Sequence, residues 1–123
     1  MLIVGIDRGA PREWTAEESL DELERLVDTA GGVVVGRVVQ KRANPDSRHY
    51  VGAGKLEEIR SLIFPLAIDT IAVDDELTPG QARNMERELG VRVIDRTQVI
   101  LDIFARRAYT KEGRLQVELA QLE

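Results

Sequence analysis

The segment Gly52-Ala53-Gly54-Lys55 has residue types that could hold a phosphate or another anion. Glycines let backbone N–H groups approach a ligand, the start of a helix adds partial positive charge, and a lysine adds a full charge. A Walker P-loop is excluded, because that motif needs glycine and Ser or Thr at the positions of His49 and Leu56. Two interpretations stay open: a loop that contacts an anion or nucleotide, or a glycine turn that starts a helix with Lys55 in solvent.

Carboxylates follow two apolar segments that have the composition of strands. Asp7 comes after the first segment, and Asp74, Asp75 and Glu76 come after the third. The carboxyl ends of parallel strands meet at one edge of a sheet, so Asp7, Asp74 and Asp75 could together hold Mg²⁺. The alternative is that Asp74 and Asp75 cap the turn. With no cysteine and one histidine, the sequence excludes thiolate and multi-histidine metal sites and any convincing nucleophile triad.

Basic residues are concentrated in two stretches, although the formal net charge is −5. Residues 36–55 hold five basic residues against Asp46 alone, and residues 92–114 hold six against three acids. Local clusters set the field that a polyanion meets, so these residues could contact a phosphate backbone; a solvated face is the alternative. The few aromatic residues form no interleaved stacking set. We expect Trp14 to be a hydrophobic staple against the first helix.

Composition places the chain among ordinary globular proteins, with 43% hydrophobic and 32% charged residues. Its 123 residues suit one domain with a real core. The sequence has no run of about 18 apolar residues that could span a membrane. Its first residues turn polar too early for a signal peptide, and the lack of cysteine fits a cytosolic protein.

Four short apolar segments predict β-strands, at residues 2–6, 33–40, 70–73 and 91–95. Apolar residues at three- and four-residue steps predict helices at residues 15–30, 55–62, 78–89 and 97–108. Thr15 and Thr78 each begin a capping box, with Glu or Gln three residues on. This alternation predicts an α/β fold: a small, mainly parallel four-stranded sheet with helices on both faces, in a flavodoxin-like order.

A last helical pattern begins near Leu115 and continues to the end of the sequence. Leu115, Leu119 and Leu122 form an apolar stripe with no glycine, asparagine or proline to end it. We therefore expect residues 1–108 to form the α/β domain and residues 109–123 to start a C-terminal helical arm. We expect the chain to be truncated at the start of this arm. A short helix that docks on the sheet is the alternative.

Several longer segments, taken in order along the chain, form a distinctive set. They are Val39-Gln40-Lys41-Arg42 with Asn44-Pro45-Asp46, Tyr50-Val51-Gly52-Ala53-Gly54-Lys55-Leu56-Glu57-Glu58, Asp74-Asp75-Glu76-Leu77-Thr78-Pro79-Gly80-Gln81, Val93-Ile94-Asp95-Arg96-Thr97, Ile100-Leu101-Asp102-Ile103-Phe104-Ala105-Arg106-Arg107-Ala108, and residues 112–122. The set resembles the N-terminal domain of HflX-type GTPases. The resemblance covers nearly the whole chain and is weakest over residues 1–30.

The resemblance implies that the full-length protein continues through a helical hairpin into a GTP-binding domain, where GTP and Mg²⁺ bind. It implies a cytoplasmic, ribosome-associated GTPase of the stress response that binds the large ribosomal subunit and splits stalled ribosomes. The N-terminal domain is then a non-catalytic module that contacts rRNA and restrains its own GTPase domain. ATP binding by this domain is also implied as an option, and the loop at residues 52–55 is where we expect it.

The resemblance points to a region of phosphate contact, and the choice of side chains within it is ours: Lys41, Arg42, Lys55, Arg106, Arg107, Lys111 and Arg114. The alternative function is an ATP-binding or nucleotide-hydrolysing domain that uses the loop Gly52-Ala53-Gly54-Lys55. In that alternative, Asp7, Asp74 and Asp75 are the candidates to hold Mg²⁺.

Overall fold

The computed structural model describes residues 1–9 and 14–106, which contain a four-stranded parallel sheet. The strands are β1 (Leu2–Asp7), β2 (Gly36–Lys41), β3 (Thr70–Val73) and β4 (Arg92–Asp95). Their order across the sheet is β2-β1-β3-β4, and every neighbouring pair is parallel. The predicted α/β class and the flavodoxin-like order of these strands are confirmed.

Helices α1 (Ala16–Thr29), α2 (Ala53–Ile63) and α3 (Pro79–Leu89) follow the first three strands in turn. Residues 96–106, here called α4, are helical directly after β4. Helix α2 begins at Ala53 rather than at the predicted Lys55, with Gly52 at its N-cap. Within the described residues, no helix is long and apolar enough to cross a membrane. The predicted boundary after residue 108 and the pattern from Leu115 lie outside the described residues.

Both predicted capping boxes are confirmed. The Thr15 hydroxyl accepts a hydrogen bond from the Glu18 N–H at 3.1 Å, and the Thr78 hydroxyl accepts one from the Gln81 N–H at 3.1 Å. These bonds satisfy N–H groups that the first turn of a helix leaves without partners. Gly90 ends α3 with a φ of 70°, a left-handed conformation that glycine adopts without strain.

Strand β2 begins at Gly36, although its apolar composition predicted a start at Val33. The Val33 and Val35 side chains are 73% and 44% exposed, so the sheet does not cover them. Their backbone pairs with the chain start instead: the amino group of Met1 donates to the Val33 carbonyl, and the Val35 N–H donates to the Met1 carbonyl. The β-branched composition therefore overextended the predicted strand.

The sheet carries a separate apolar core on each face. Helices α2 and α3 pack on one face, where Leu56 and Met85 are buried. Helices α1 and α4 pack on the other, where Leu20 and Val99 are buried. Gly5 allows α1 to approach β1 closely, because a Cβ at this position would lie 3.2 Å from the Leu20 side chain. With both faces covered, the carboxyl ends of the strands are left to carry polar groups.

Candidate functional site

A cleft of about 1160 Å³ opens at the carboxyl end of the sheet. It is lined by the end of β1 and the turn that follows, the first turns of α1 and α4, and the turn after β3. Strand β1 lies between β2 and β3, so the chain connections diverge at this point of the sheet. Such a topological switch point is where open α/β sheets usually bind ligands. We call this space the switch cleft.

An ion pair between the buried Asp74 and the half-buried Arg96 lies in the switch cleft. The Asp74 side chain is only 6% exposed, and its Oδ1 lies 3.4 Å from the Arg96 Nε. Burial raises the pKa of the Asp74 carboxyl, while a hydrogen bond from Ser19 and the charge of Arg96 oppose that rise. Arg96 is therefore an ion-pair partner of Asp74 in this structure.

The second carboxylate of this turn, Asp75, is held by two side chains. The Tyr50 hydroxyl donates to its Oδ2 at 2.5 Å, and Arg8 Nη2 lies 3.5 Å from its Oδ1. Tyr50 is 1% exposed, and burial, followed by the hydrogen bond to Asp75, raises the pKa of its phenol. Asp75 therefore connects the loop that carries Tyr50 to the end of β3.

The carboxylates Asp7, Asp74 and Asp75 all line the switch cleft, as their positions at strand ends predicted. Asp7 Oδ1 accepts a hydrogen bond from the Gly9 N–H at 3.0 Å, and Asp75 is engaged with Tyr50. Among residues 1–9 and 14–106, no group of three or more acidic or histidine side chains is placed to hold a metal ion. The three aspartates thus share one cleft without forming a ligand set for Mg²⁺.

A second polar feature is the segment of residues 41–52, between β2 and α2, which we call the cationic loop. The Asp46 carboxylate accepts hydrogen bonds from the N–H groups of Arg48 and His49 at 2.8 and 2.9 Å, and these bonds lower the pKa of Asp46. The Gln81 side chain donates to the Asp46 carbonyl at 2.8 Å. Tyr50, with a φ of 68°, also closes a backbone bridge to Asp46. The loop is therefore held by α3 and by its own backbone.

The predicted anion loop, residues 52–55, begins α2 and does not line the switch cleft. The Gly52 N–H donates to the Gln40 side chain at 2.8 Å, and Lys55 Nζ lies 2.8 Å from Glu58 Oε2. A Cβ at Gly54 would meet nothing within 4 Å, so the backbone there is open. Two of the groups that would contact an anion are therefore already engaged, and anion or ATP binding here stays a prediction.

The basic side chains of the described structure fall into two groups. Arg37 pairs with three acids of α1, at 2.6 Å for its closest contact, to Asp21, and those acids raise the pKa of its guanidinium. In residues 1–9 and 14–106, by contrast, Lys41, Arg42 and Arg48 form no ion pair with a carboxylate. Arg42 donates instead to the Asn44 carbonyl at 3.0 Å. The cationic loop therefore carries three cations against one carboxylate, Asp46, whose pKa the charge of Arg42 helps to lower.

Arg106, the last described cation of the second basic stretch, lies at the opposite end of the sheet from the cationic loop. Arg106 Nη1 donates to the Ala30 carbonyl at 3.1 Å, just after α1 ends and before β2 begins. Lys41 and Arg42 lie where β2 ends, so Arg106 does not share their edge of the sheet. The other predicted contacts, Arg107, Lys111 and Arg114, lie outside the described residues.

Trp14 is a cleft residue rather than the expected hydrophobic staple. Its side chain is 57% exposed and lines the switch cleft. A staple needs an apolar residue at the fourth position of the helix, and that position is Ser19.

The sequence analysis also missed Arg8 and Tyr50 as functional candidates. Position at a strand end could have indicated Arg8, but nothing local indicated Tyr50, whose partner is 25 residues away.

The fold and its open carboxyl end define a small α/β domain of the doubly wound type. The family model described as GTP-binding GTPase N-terminal matches residues 17–105. The chain belongs to this family, the N-terminal domain of HflX-type GTPases, and the resemblance seen in the sequence is confirmed.

Curated relatives extend well beyond the length of this chain. The GTPase HflX of Lacrimispora saccharolytica is 52% identical over 122 residues, which cover 99% of this chain and 28% of the relative. The GTPase HflX of Escherichia coli is 47% identical over 105 residues, which cover 85% of this chain and 25% of the relative. The chain therefore spans about a quarter of the length of these relatives.

Solved structures of GTP-binding proteins share the fold. A GTP-binding protein from the hyperthermophilic archaeon Sulfolobus solfataricus, in complex with GDP, matches with a TM-score of 0.64 and 27% identity. The match covers 98% of this chain and 35% of that chain. A variant of SsGBP matches with a TM-score of 0.66 and 28% identity, over 98% of this chain and 37% of that chain.

Proposed function

We propose that this chain is the ribosome-binding and regulatory domain of an HflX-like GTPase and contacts rRNA. In this proposal the full-length protein is cytoplasmic, binds and hydrolyses GTP with Mg²⁺ outside these residues, and splits stalled ribosomes at the large subunit under stress. Membership of the HflX family supports the GTPase. The observation that carries rRNA contact is the set of cations in the cationic loop that lack a carboxylate partner among the described residues.

Lys41 and Arg48 are exposed, and Arg42 is half-buried against the loop. A cation already paired with a carboxylate, such as Arg37, must give up that partner before it contacts a phosphate. Lys41 and Arg48 form no ion pair in the described structure, and Arg42 acts on Asp46 only through its charge, so these cations can neutralise phosphates at a lower cost. Local positive charge of this kind attracts a polyanion even when the chain as a whole is acidic.

The backbone of the cationic loop supports the same proposal. The bonds of the Asp46 carboxylate and of Gln81 hold the loop in one conformation. The Asn84 side chain adds a bond to the Arg48 carbonyl at 3.2 Å. A binding surface that is already ordered loses less conformational entropy on association than a flexible one. The loop is therefore a rigid support for its cations.

The test is the salt dependence of binding between this chain and isolated large ribosomal subunits, measured by co-sedimentation. Each neutralised phosphate contributes about 0.7–0.9 to the slope of log affinity against log salt. We therefore expect binding to weaken steeply with salt. Lys41→Ala and Arg48→Ala should each lower the affinity and make the slope shallower by about 0.7–0.9, the contribution of one phosphate contact.

Arg25→Ala is the matched control, because Arg25 is an exposed arginine of α1 that pairs with Glu22 at 2.9 Å. It should leave both affinity and slope unchanged. The double variant Arg106→Glu/Arg107→Glu tests the second basic stretch in the same assay. Binding that does not respond to salt, or that Arg25→Ala weakens as much as Lys41→Ala, would contradict phosphate contact by the cationic loop.

The regulatory part of the proposal has a separate test on the full-length parent protein. If residues 1–123 restrain the GTPase domain, deleting them should raise the rate of GTP hydrolysis in the absence of ribosomes. An unchanged rate would count against restraint and leave the rRNA contact unaffected, since the two readouts are independent.

A further inference from the structure

Four buried polar atoms around the switch cleft have no hydrogen-bond partner within residues 1–9 and 14–106. These atoms are Asp74 Oδ1, Arg96 Nε, Arg96 Nη2 and Arg8 Nε. Among the described residues, no other buried side-chain nitrogen or oxygen lacks a hydrogen-bond partner. More than about 90% of buried polar groups in folded proteins are satisfied, because an unmet one costs free energy. Two of these atoms, Asp74 Oδ1 and Arg96 Nε, face each other in an ion pair, and all four belong to residues that line one cleft. The cleft is therefore where a ligand would complete their hydrogen bonds.

The geometry of these atoms specifies the edge that such a ligand must present. Arg96 Nε and Nη2 lie on one edge of the guanidinium group and donate in nearly parallel directions. Asp74 Oδ1, an acceptor, lies 3.4 Å from that Nε without forming a hydrogen bond to it. A complementary ligand therefore presents two adjacent acceptors, or one acceptor shared by both N–H groups, to Arg96, with an N–H donor for Asp74 directly beside them.

The charge of the cleft selects against anionic ligands. Among the described residues, five carboxylates line it, against the two guanidinium groups of Arg8 and Arg96. Both arginines lie within ion-pair distance of an aspartate of the turn after β3. A ligand that brought several phosphates into this space would meet a net negative field. An uncharged ligand, or one whose charges stay outside the cleft, is favoured.

The cleft also provides apolar surface for a flat ring. Trp14 is 57% exposed and Ile100 is 37% exposed, and both line the cleft. An exposed indole stacks with any planar heterocycle, and the stacking energy does not depend on the sequence of a nucleic acid. The volume of about 1160 Å³ is large enough for a nucleoside.

We propose that the switch cleft binds an uncharged nucleobase by its hydrogen-bonding edge, with Arg96 donating to the base and Asp74 accepting from it. All four bases present an acceptor beside a donor on this edge, and Trp14 supplies a stacking surface. The base belongs either to a free nucleoside or to an unpaired nucleotide of RNA. Binding of a free nucleoside does not depend on the ribosome-binding proposal, whereas the RNA source rests on it.

Titrating the chain with nucleosides tests this site. The indole N–H of Trp14, the single tryptophan, reports occupancy of the cleft by NMR. We expect a saturable shift with guanosine, uridine or adenosine, and affinity at least tenfold weaker for the corresponding triphosphate. Asp74→Asn should weaken nucleoside binding about tenfold, because a neutral acceptor replaces a charged one. Arg96→Met should weaken it by a similar factor.

Two control variants separate this site from other surfaces. Arg60→Met removes an arginine of α2 that pairs with Glu88 at 3.0 Å, and it should leave nucleoside affinity unchanged. Lys55→Ala should also have no effect, whereas it would abolish binding at the loop of residues 52–55. Backbone amide spectra of each variant confirm that the chain is folded, so that lost binding is not lost structure.

The source of the base is distinguished by a second titration, with a single-stranded RNA trinucleotide and with the same RNA lacking its central base. A shift of the Trp14 signal that requires the central base, together with weak nucleoside binding, assigns the site to RNA. A shift with nucleosides alone assigns it to free ligands. The absence of any saturable shift at about 10 mM of every ligand, or tighter binding of the triphosphate, would overturn the proposal.

Discussion

The cationic loop and the switch cleft are neighbours at the carboxyl end of the sheet, but they differ in whether their polar groups have hydrogen-bond partners. In the loop, the Asp46 carboxylate, the Gly52 N–H and the Tyr50 hydroxyl each have a protein partner. In the cleft, the buried Asp74 carboxylate lies next to the half-buried Arg96, and both keep buried atoms without a hydrogen-bond partner among the described residues. The loop is internally complete, and the cleft is not.

This difference indicates that the polar network of the loop supports its conformation, whereas the polar atoms of the cleft are available to a ligand. Satisfied polar networks stabilise one conformation of a loop, and the cations of the loop stay exposed because the network does not use them. Buried polar atoms without partners lower stability, and proteins retain such atoms mainly where a ligand meets them. Substitutions in the loop network should therefore destabilise the chain, whereas a neutral substitution of Asp74 should not.

The largest effect is expected at Tyr50, the side chain that links the two regions. Tyr50→Ala should lower the free energy of unfolding by about 3–5 kcal/mol, because it empties a fully buried position. Tyr50→Phe keeps the ring and loses only the bond to Asp75, at about 1.5 kcal/mol. Urea denaturation of the three proteins measures both values. Equal losses in the two variants would mean that packing of the ring contributes little.

The next effect is expected at Asp46, inside the loop network. Asp46→Ala removes two hydrogen bonds to backbone N–H groups and should cost about 1–2 kcal/mol at neutral pH. Those bonds lower the pKa of Asp46 below its ordinary 3.8. Its contribution is therefore complete above that value and is lost as the pH falls through the folded-state pKa. Unfolding curves at neutral and strongly acidic pH should show the difference shrinking.

A smaller change in the free energy of unfolding is expected from replacing cations, and it should differ between a paired and an unpaired cation. Arg37→Ala should cost up to about 1 kcal/mol, less at high salt, because it breaks exposed ion pairs with α1. Lys41→Ala should change stability by less than about 0.5 kcal/mol, because no described carboxylate pairs with it. Thermal unfolding at low and high salt tests both. A salt-dependent loss in Lys41→Ala would show that the loop cation has a structural partner.

The smallest effect, and of opposite sign, is expected in the cleft. Burial raises the pKa of Asp74, so the folded state disfavours its charged form at neutral pH. Asp74→Asn should therefore be at least as stable as the parent sequence at neutral pH. The folded protein binds the Asp74 proton more tightly than the unfolded chain, so any advantage of the variant should disappear as the pH falls through the folded pKa toward 3.8. A clear loss of stability at neutral pH would make Asp74 a structural residue.

Much of the fold could be predicted, because its signals are local. Thr15 and Thr78 cap helices through partners three residues away, and that spacing is visible in the sequence. Asp7 and Asp74 were placed at one edge because parallel strands end together. Val33 misled the strand assignment, since β-branched residues indicate a strand without showing whether the sheet covers them.

The sequence by itself determined the family, the α/β class, the helix caps and the absence of a Walker loop in these residues. Only the tertiary structure decided that Arg37 pairs with acids of α1 while Lys41 pairs with no described carboxylate, and that Asp74 and Arg96 share an open cleft with Trp14. Charge pairing and burial depend on which distant segments meet, and a long-range partner such as that of Tyr50 leaves no periodic signal along the chain. Local hydrogen bonds and apolar spacing follow from the order of residues along the chain, whereas a binding site depends on how distant segments are arranged around it.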